Sequence, residues 1–190
     1  NNYIKGLKME QSIFSEAKAK MDKAIEHYKK ELSSIRTGRA SSSILNSIKV
    51  DYYGSPTPLN NISNITIPEA QLISIQPFDP SSLELIEKAI SESDLGLTPN
   101  NDGNVIRLNI PSLTQDRRQE LVKQVHTIIE DGRIAIRNIR RDANDELKKL
   151  LKSKEIGEDE EKTFEKNVQN ITDKHIQIVD DKVSAKEKEI

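Results

Sequence analysis

The chain is 190 residues long, 34% hydrophobic, 32% charged and only 4% aromatic, with a formal net charge of −2. Its apolar stretches fall far short of the roughly 20 residues a membrane-crossing helix needs. Its zero cysteines exclude disulfides, thiolate metal sites and a cysteine nucleophile. Length limits it to one or two domains, and so charged a composition suits long amphipathic helices with solvated faces. No leader of basic, apolar and small residues opens the chain, so the expectation is a reducing, cytoplasmic compartment.

In the first segment, Phe14, Ala17, Met21, Ala24, Ile25, Tyr28, Leu32 and Ile35 recur at steps of three and four between Lys and Glu. That is one buried stripe of a helix. The character then changes, because all seven prolines fall between Pro56 and Pro111. Charge divides at the same borders: residues 38–113 carry 4 Lys or Arg against 8 Asp or Glu. Within this segment Ile48, Val50 and Tyr52 alternate with polar residues, and Ile62–Ile67 and Leu72–Gln76 are short β-branched runs. Leu83, Ile86 and Ile90 predict a helix entered at Ser81 or Ser82, and Asn101-Asp-Gly103 predicts a turn into a last strand at Val105–Ile110.

Beyond Thr114 the helical period returns through Leu121, Val125, Ile128, Ala135, Ile139, Ala143, Leu147 and Leu150. Gly157 and four following acids mark a new helix start, and Phe164, Val168, Ile171, His175, Ile178 and Lys182 form a third stripe. Three stripes that cannot bury themselves alone imply a long antiparallel three-helix bundle, residues 1–37 and 114–190. Its middle helix would be about 60 Å long. The fold class expected is α+β, with a small α/β domain, residues 38–113, inserted into the bundle. Two chain crossings, at Gly38–Ser43 and Pro111–Thr114, join them and permit hinge motion.

Catalytic constellations are missing. His27, His126 and His175 lie on different helices without metal-ligand spacing, and each reads as a surface or half-buried residue. The seven glycines build neither a phosphate-binding loop nor a dinucleotide turn, and no cofactor is implied. What stands out is Arg133, Arg137, Arg140 and Arg141, at steps of four and three along one helix face. Arg36 and Arg39 lie at the end of the first helix. Arginine favours bidentate phosphate contacts and stacking on bases. Two readings stand open: a phosphate or RNA surface, and a solvated face paired with acids of the neighbouring helix.

At these residues the sequence resembles the ribosome recycling factor family. The motifs are Ile35-Arg-Thr-Gly-Arg-Ala40, Asp51-Tyr-Tyr-Gly-Ser-Pro-Thr-Pro58, Ser93-Asp-Leu-Gly-Leu-Thr-Pro-Asn100 and Arg137-Asn-Ile-Arg-Arg-Asp-Ala-Asn144, followed by Lys154-Glu-Ile. The resemblance implies an L-shaped, non-enzymatic translation factor, a monomer with no membrane or metal. It implies binding to the large ribosomal subunit and its 23S-type rRNA after termination, then splitting of the ribosome with elongation factor G and GTP. Carried onto this chain, Arg36, Arg39, Arg133, Arg137, Arg140 and Arg141 would contact rRNA, and Gly38, Ala40, Ser41, Pro111 and Ser112 would form the hinge. Residues 1–8 precede Met9, where such proteins begin, which leaves an organellar form open beside a bacterial one. The competing readings are a helical adaptor that binds another coiled coil and a hydrolase that uses acidic residues.

Overall fold

The computed structural model describes Asn2–Ile190. In chain order the elements are α1 (Asn2–Ser33), β1 (Lys49–Tyr52), β2 (Ser55–Pro58), the single-turn α2 (Leu59–Ile62), β3 (Ser63–Glu69) and β4 (Leu72–Pro77). They continue with α3 (Leu83–Ser91), β5 (Pro99–Asn101), β6 (Ile106–Asn109), α4 (Gln115–Lys152) and α5 (Glu158–Glu189). The chain divides into two compact units, residues 36–115 and the two flanks that precede and follow them. The inserted unit extends two residues further at each end than the sequence expectation. At the first of these ends the Arg36 Nη1 donates to the Leu95 carbonyl at 3.4 Å, inside the unit.

The flanks form the three-helix unit of α1, α4 and α5. Along α1 the buried stripe is Ile13, Ala17, Met21, Ile25 and Leu32, at steps of one helical turn and, from Ile25 to Leu32, two. In α4 it runs Leu121, Val125, Ile129, Gly132, Ile136, Ala143, Leu147 and Leu150. The sequence stripe had Ile128, Ala135 and Ile139, which sit half-buried at its flank. The phase differs because a glycine occupies the stripe: a Cβ on Gly132 would lie 3.4 Å from the Tyr28 ring and 3.6 Å from Val179, so α4 meets both neighbours closely there. In α5 the core residues are Val168, Thr172, His175, Val179 and Val183, while Ile178 is 40% exposed. A count of apolar residues passes over Thr172, whose hydroxyl is satisfied by donating to the Val168 carbonyl at 2.7 Å. At about 1.5 Å per residue, the 38 residues of α4 span about 57 Å.

The α4–α5 turn closes one end of this unit. Lys154 adopts the left-handed conformation, φ 57°. The Glu155 N–H returns to the Leu150 carbonyl and that of Lys154 to Leu151, both at 3.0 Å, which satisfies carbonyls that the helix end leaves open. Gly157 is the N-cap of α5, and the Glu160 carboxylate accepts from its N–H at 3.1 Å. A hydrogen bond from Tyr3, and then that backbone bond, hold the Glu160 carboxyl below its ordinary range. Residues before Met9 continue α1, and a Cβ on Gly6 would overlap the Glu155 carbonyl oxygen. Glycine is therefore required at that crossing.

The inserted unit has a four-stranded antiparallel sheet in the order β3-β4-β6-β5 and a separate β1-β2 hairpin. Register places Ile73 opposite Leu108 and Ile75 opposite Ile106. All four are fully buried, in one cluster with Leu83, Ile86 and Ile90 of α3. Each such side chain contributes roughly 1.5–3 kcal/mol on burial. The strands expected at 48–52, 62–67, 72–76 and 105–110 are present within one or two residues. The sequence reading missed β2, whose Pro56 and Pro58 argue against a strand. Two residues apart, their missing N–H groups fall on one edge, and a two-stranded hairpin has a free edge to receive them.

Candidate nucleic-acid interface

The arginines of α4 divide by what α5 offers them. Arg133 is held: its Nε and Nη2 donate to Asp180 Oδ1 at 3.1 and 2.8 Å, and its Nη1 to Glu130 at 2.7 Å. Glu130 first, and then Asp180, favour its charged form still further. Here the reading of an arginine paired with acids of the neighbouring helix is the observed state.

One turn on, the environment changes. Arg137 and Arg141 are exposed and Arg140 is half-buried. Among the described residues no carboxylate lies within ion-pair distance of any of the three. Arg140 Nη1 instead donates to the Gln169 amide oxygen at 3.2 Å, and Arg141 donates to Asn138. With Lys148 they line a shallow depression of about 370 Å³, whose only acidic lining residue is Asp145. Like charges at three- and four-residue spacing cost some tenths of a kcal/mol per pair. A polyanion laid along the depression removes that repulsion and gains charge-assisted hydrogen bonds.

The inserted unit holds two larger depressions of about 640 Å³ each. One is lined by Lys49 and Lys88 against Asp51, Glu92 and Asp94, and the other has no charged lining residue. Neither favours an anion. Among the described residues no group of His, Asp and Glu converges as a metal site, and no helix is long and apolar enough to cross a membrane.

The remaining residues singled out in the sequence lie at the chain crossings. Arg36 is turned to the Leu95 carbonyl, and Arg39 is exposed and makes an interaction of its own. Gly38 has φ +75°, and a Cβ there would stand 2.9 Å from the Leu113 side chain. The two crossings thus lie side by side. Ala40 N–H is tied to the Ala70 carbonyl at 2.7 Å, and Ser41 caps a short 3₁₀ turn. Pro111 is exposed, while Ser112 Oγ accepts from Gln71 at 2.8 Å. His175, read as a surface or half-buried residue, is buried: its Nε2 lies 2.7 Å from Asp22 Oδ1 and its Nδ1 2.6 Å from the Ile171 carbonyl. Both partners are acceptors, so whichever ring nitrogen carries a proton has an oxygen to receive it, which is why a polar ring is tolerated there. Sequence reasoning missed Gln169 and Lys148; only the antiparallel register of α4 and α5 brings Gln169 to the ridge.

The family model described as "Ribosome recycling factor" matches residues 28–190. The chain belongs to the ribosome recycling factor family. It is 57% identical over 179 residues to the ribosome-recycling factor of Natranaerobius thermophilus, covering 94% of this chain and 97% of that one. It is 54% identical over 182 residues to that of Geobacillus kaustophilus, covering 96% and 98%. The solution structure of a ribosome recycling factor matches at TM-score 0.75 and 43% identity, covering 95% of this chain and 96% of that one. A second match, at TM-score 0.66 and 44% identity over 95% and 98%, is among models of the T. thermophilus ribosome recycling factor and E. coli elongation factor G bound to the E. coli post-termination complex. A chain of this family is a translation factor, not an enzyme.

Proposed function

We propose that this protein recycles ribosomes in a bacterial-type cytoplasm, as a monomer acting with elongation factor G and GTP. The three-helix unit binds the rRNA of the large subunit through Arg137, Arg140 and Arg141, with Arg36 and Arg39 contributing at the crossings. Arg133, paired with Asp180 and Glu130, anchors the ridge to α5. The inserted domain, residues 38–113 in the sequence reading, is the part the GTPase moves, and Gly38, Ala40, Ser41, Pro111 and Ser112 form the hinge. Ala40 and Ser112 are tied to the β3–β4 turn region, which fixes that side of the hinge to the inserted unit.

One observation carries this reading: three neighbouring arginines, Arg137, Arg140 and Arg141, are left without carboxylate partners one turn beyond Arg133, which two carboxylates hold. A merely solvated face gives no reason for that contrast. Family membership supplies the ribosome as the polyanion, and the similar factor bound with elongation factor G to a post-termination complex supplies the partner. The test is binding to purified large subunits across a salt series. Replacing Arg137 and Arg140 by Ala removes two phosphate contacts, so the slope of log affinity against log salt should fall by about 1.4–1.8. Far-ultraviolet circular dichroism should be unchanged, because neither side chain packs in the core. An unaltered slope and affinity would remove the ridge from the interface.

A further inference from the structure

The pair Gln169 and Asp173 on α5 has no part in the reading above, and its geometry is specific. Gln169 Oε1 accepts from Arg140 at 3.2 Å, and Gln169 Nε2 donates to Asp173 Oδ1 at 2.8 Å. A guanidinium can only donate and a carboxylate can only accept, so the two partners together fix which way the amide points. The relay has a polarity that an amide meets and that neither a carboxylate nor an apolar side chain could.

We infer that Gln169 and Asp173 are positioning residues for Arg140, orienting its guanidinium toward rRNA while leaving its charge unspent. The inference rests on the proposed role of the ridge and deepens it. The same helix shows the alternative: Asp180 offers Arg133 a carboxylate and neutralises it. At Arg140, α5 presents a neutral oxygen instead, and the acid that steadies it stands one hydrogen bond further away. Fixing a long side chain before binding removes part of the rotamer entropy that association would otherwise cost. Gln169 lies in the lining of the arginine depression, so its amide is placed to act on the bound geometry and not on the core.

The test uses the full-length protein and purified large subunits, with affinity measured across a salt series. Gln169→Ala removes orientation but no charge. It should weaken binding about twofold to tenfold, the worth of one such hydrogen bond, with the salt slope unchanged. Gln169→Glu, nearly isosteric, turns the amide into an ion-pair partner; the slope should fall by about 0.7–0.9, one phosphate contact. Asp173→Asn keeps an acceptor for the amide and should bind as wild type does. In an Arg140→Ala background, Gln169→Ala should have no further effect, since the two act as one unit. Thermal melts should agree among all the variants, which separates positioning from structure. If Arg140→Ala weakens binding and Gln169→Ala weakens it further by its full wild-type factor, the positioning inference is overturned alone. A wild-type slope for Gln169→Glu overturns it as well. If Arg140→Ala binds with wild-type affinity, the ridge reading and this inference fall together.

Discussion

Glu10 shows how a single residue can oppose the fold that contains it. It is fully buried in α1, and neither carboxylate oxygen has a hydrogen-bond partner. Burial, and then the nearby charge of Glu160, raise its carboxyl from the ordinary 4.5 to about 7. A carboxyl raised in the folded state is a penalty on the charged form. That penalty is absent below about pH 4.5, grows as pH climbs, and is complete above about pH 7. Glu10→Leu should therefore raise stability by about 1–3 kcal/mol at pH 8, the cost of an unsatisfied buried polar group, and by less at pH 4. Urea unfolding at the two pH values measures this, and an equal gain at both would show that ionisation is not the cause. The sequence stripe began at Phe14 and did not reach Glu10, although position 10 stands three and seven residues before Ile13 and Ala17, in phase with the buried face. Gln169 was hidden for another reason: its meaning lies in a partner on another helix. The arginines were legible because their clustering is a local property of one helix, but which of them α5 neutralises is not.

At the scale of elements, the stripes placed all three long helices, and in α4 and α5 they slipped where a core position is not apolar. Gly132 in α4 and Thr172 in α5 are both core residues that an apolar count skips, and each shifted its stripe by about one residue. Strand β2 was missed because two prolines looked like punctuation, whereas a hairpin edge accommodates them. At the α4–α5 connection Gly157 marks the start of α5, as its position before four acids implies, and nothing in the sequence pointed to the role of Lys154. The nearby glycine, Gly157, caps α5 in an extended conformation, and Lys154 takes the left-handed position usually given to glycine. A non-glycine residue in that conformation costs roughly 1–2 kcal/mol, partly offset in Lys154→Gly by the greater freedom of an unfolded glycine. Lys154→Gly should then stabilise the protein by about 0.5–1 kcal/mol, seen as a rise in Tm of about 1–4 °C. A fall in Tm would mean that the lysine side chain contributes more than its backbone costs.

For the whole molecule, the net charge of −2 is an average over parts of opposite character. The inserted unit is acidic, α5 begins with four acids, and α4 carries a compact cationic depression. Near-neutral bulk charge is therefore compatible with binding a polyanion, because local field and not net charge decides encounter at a surface this size. The proposed action is mechanical: a three-helix unit anchored to rRNA and an inserted unit that a GTPase partner moves. Its most direct test is light scattering of post-termination ribosomes mixed with elongation factor G and GTP. Adding this protein should lower the signal as ribosomes separate into subunits, and the Arg137→Ala, Arg140→Ala protein should lower it far more slowly at equal concentration. A signal that stays level on adding the wild-type protein would contradict the recycling function.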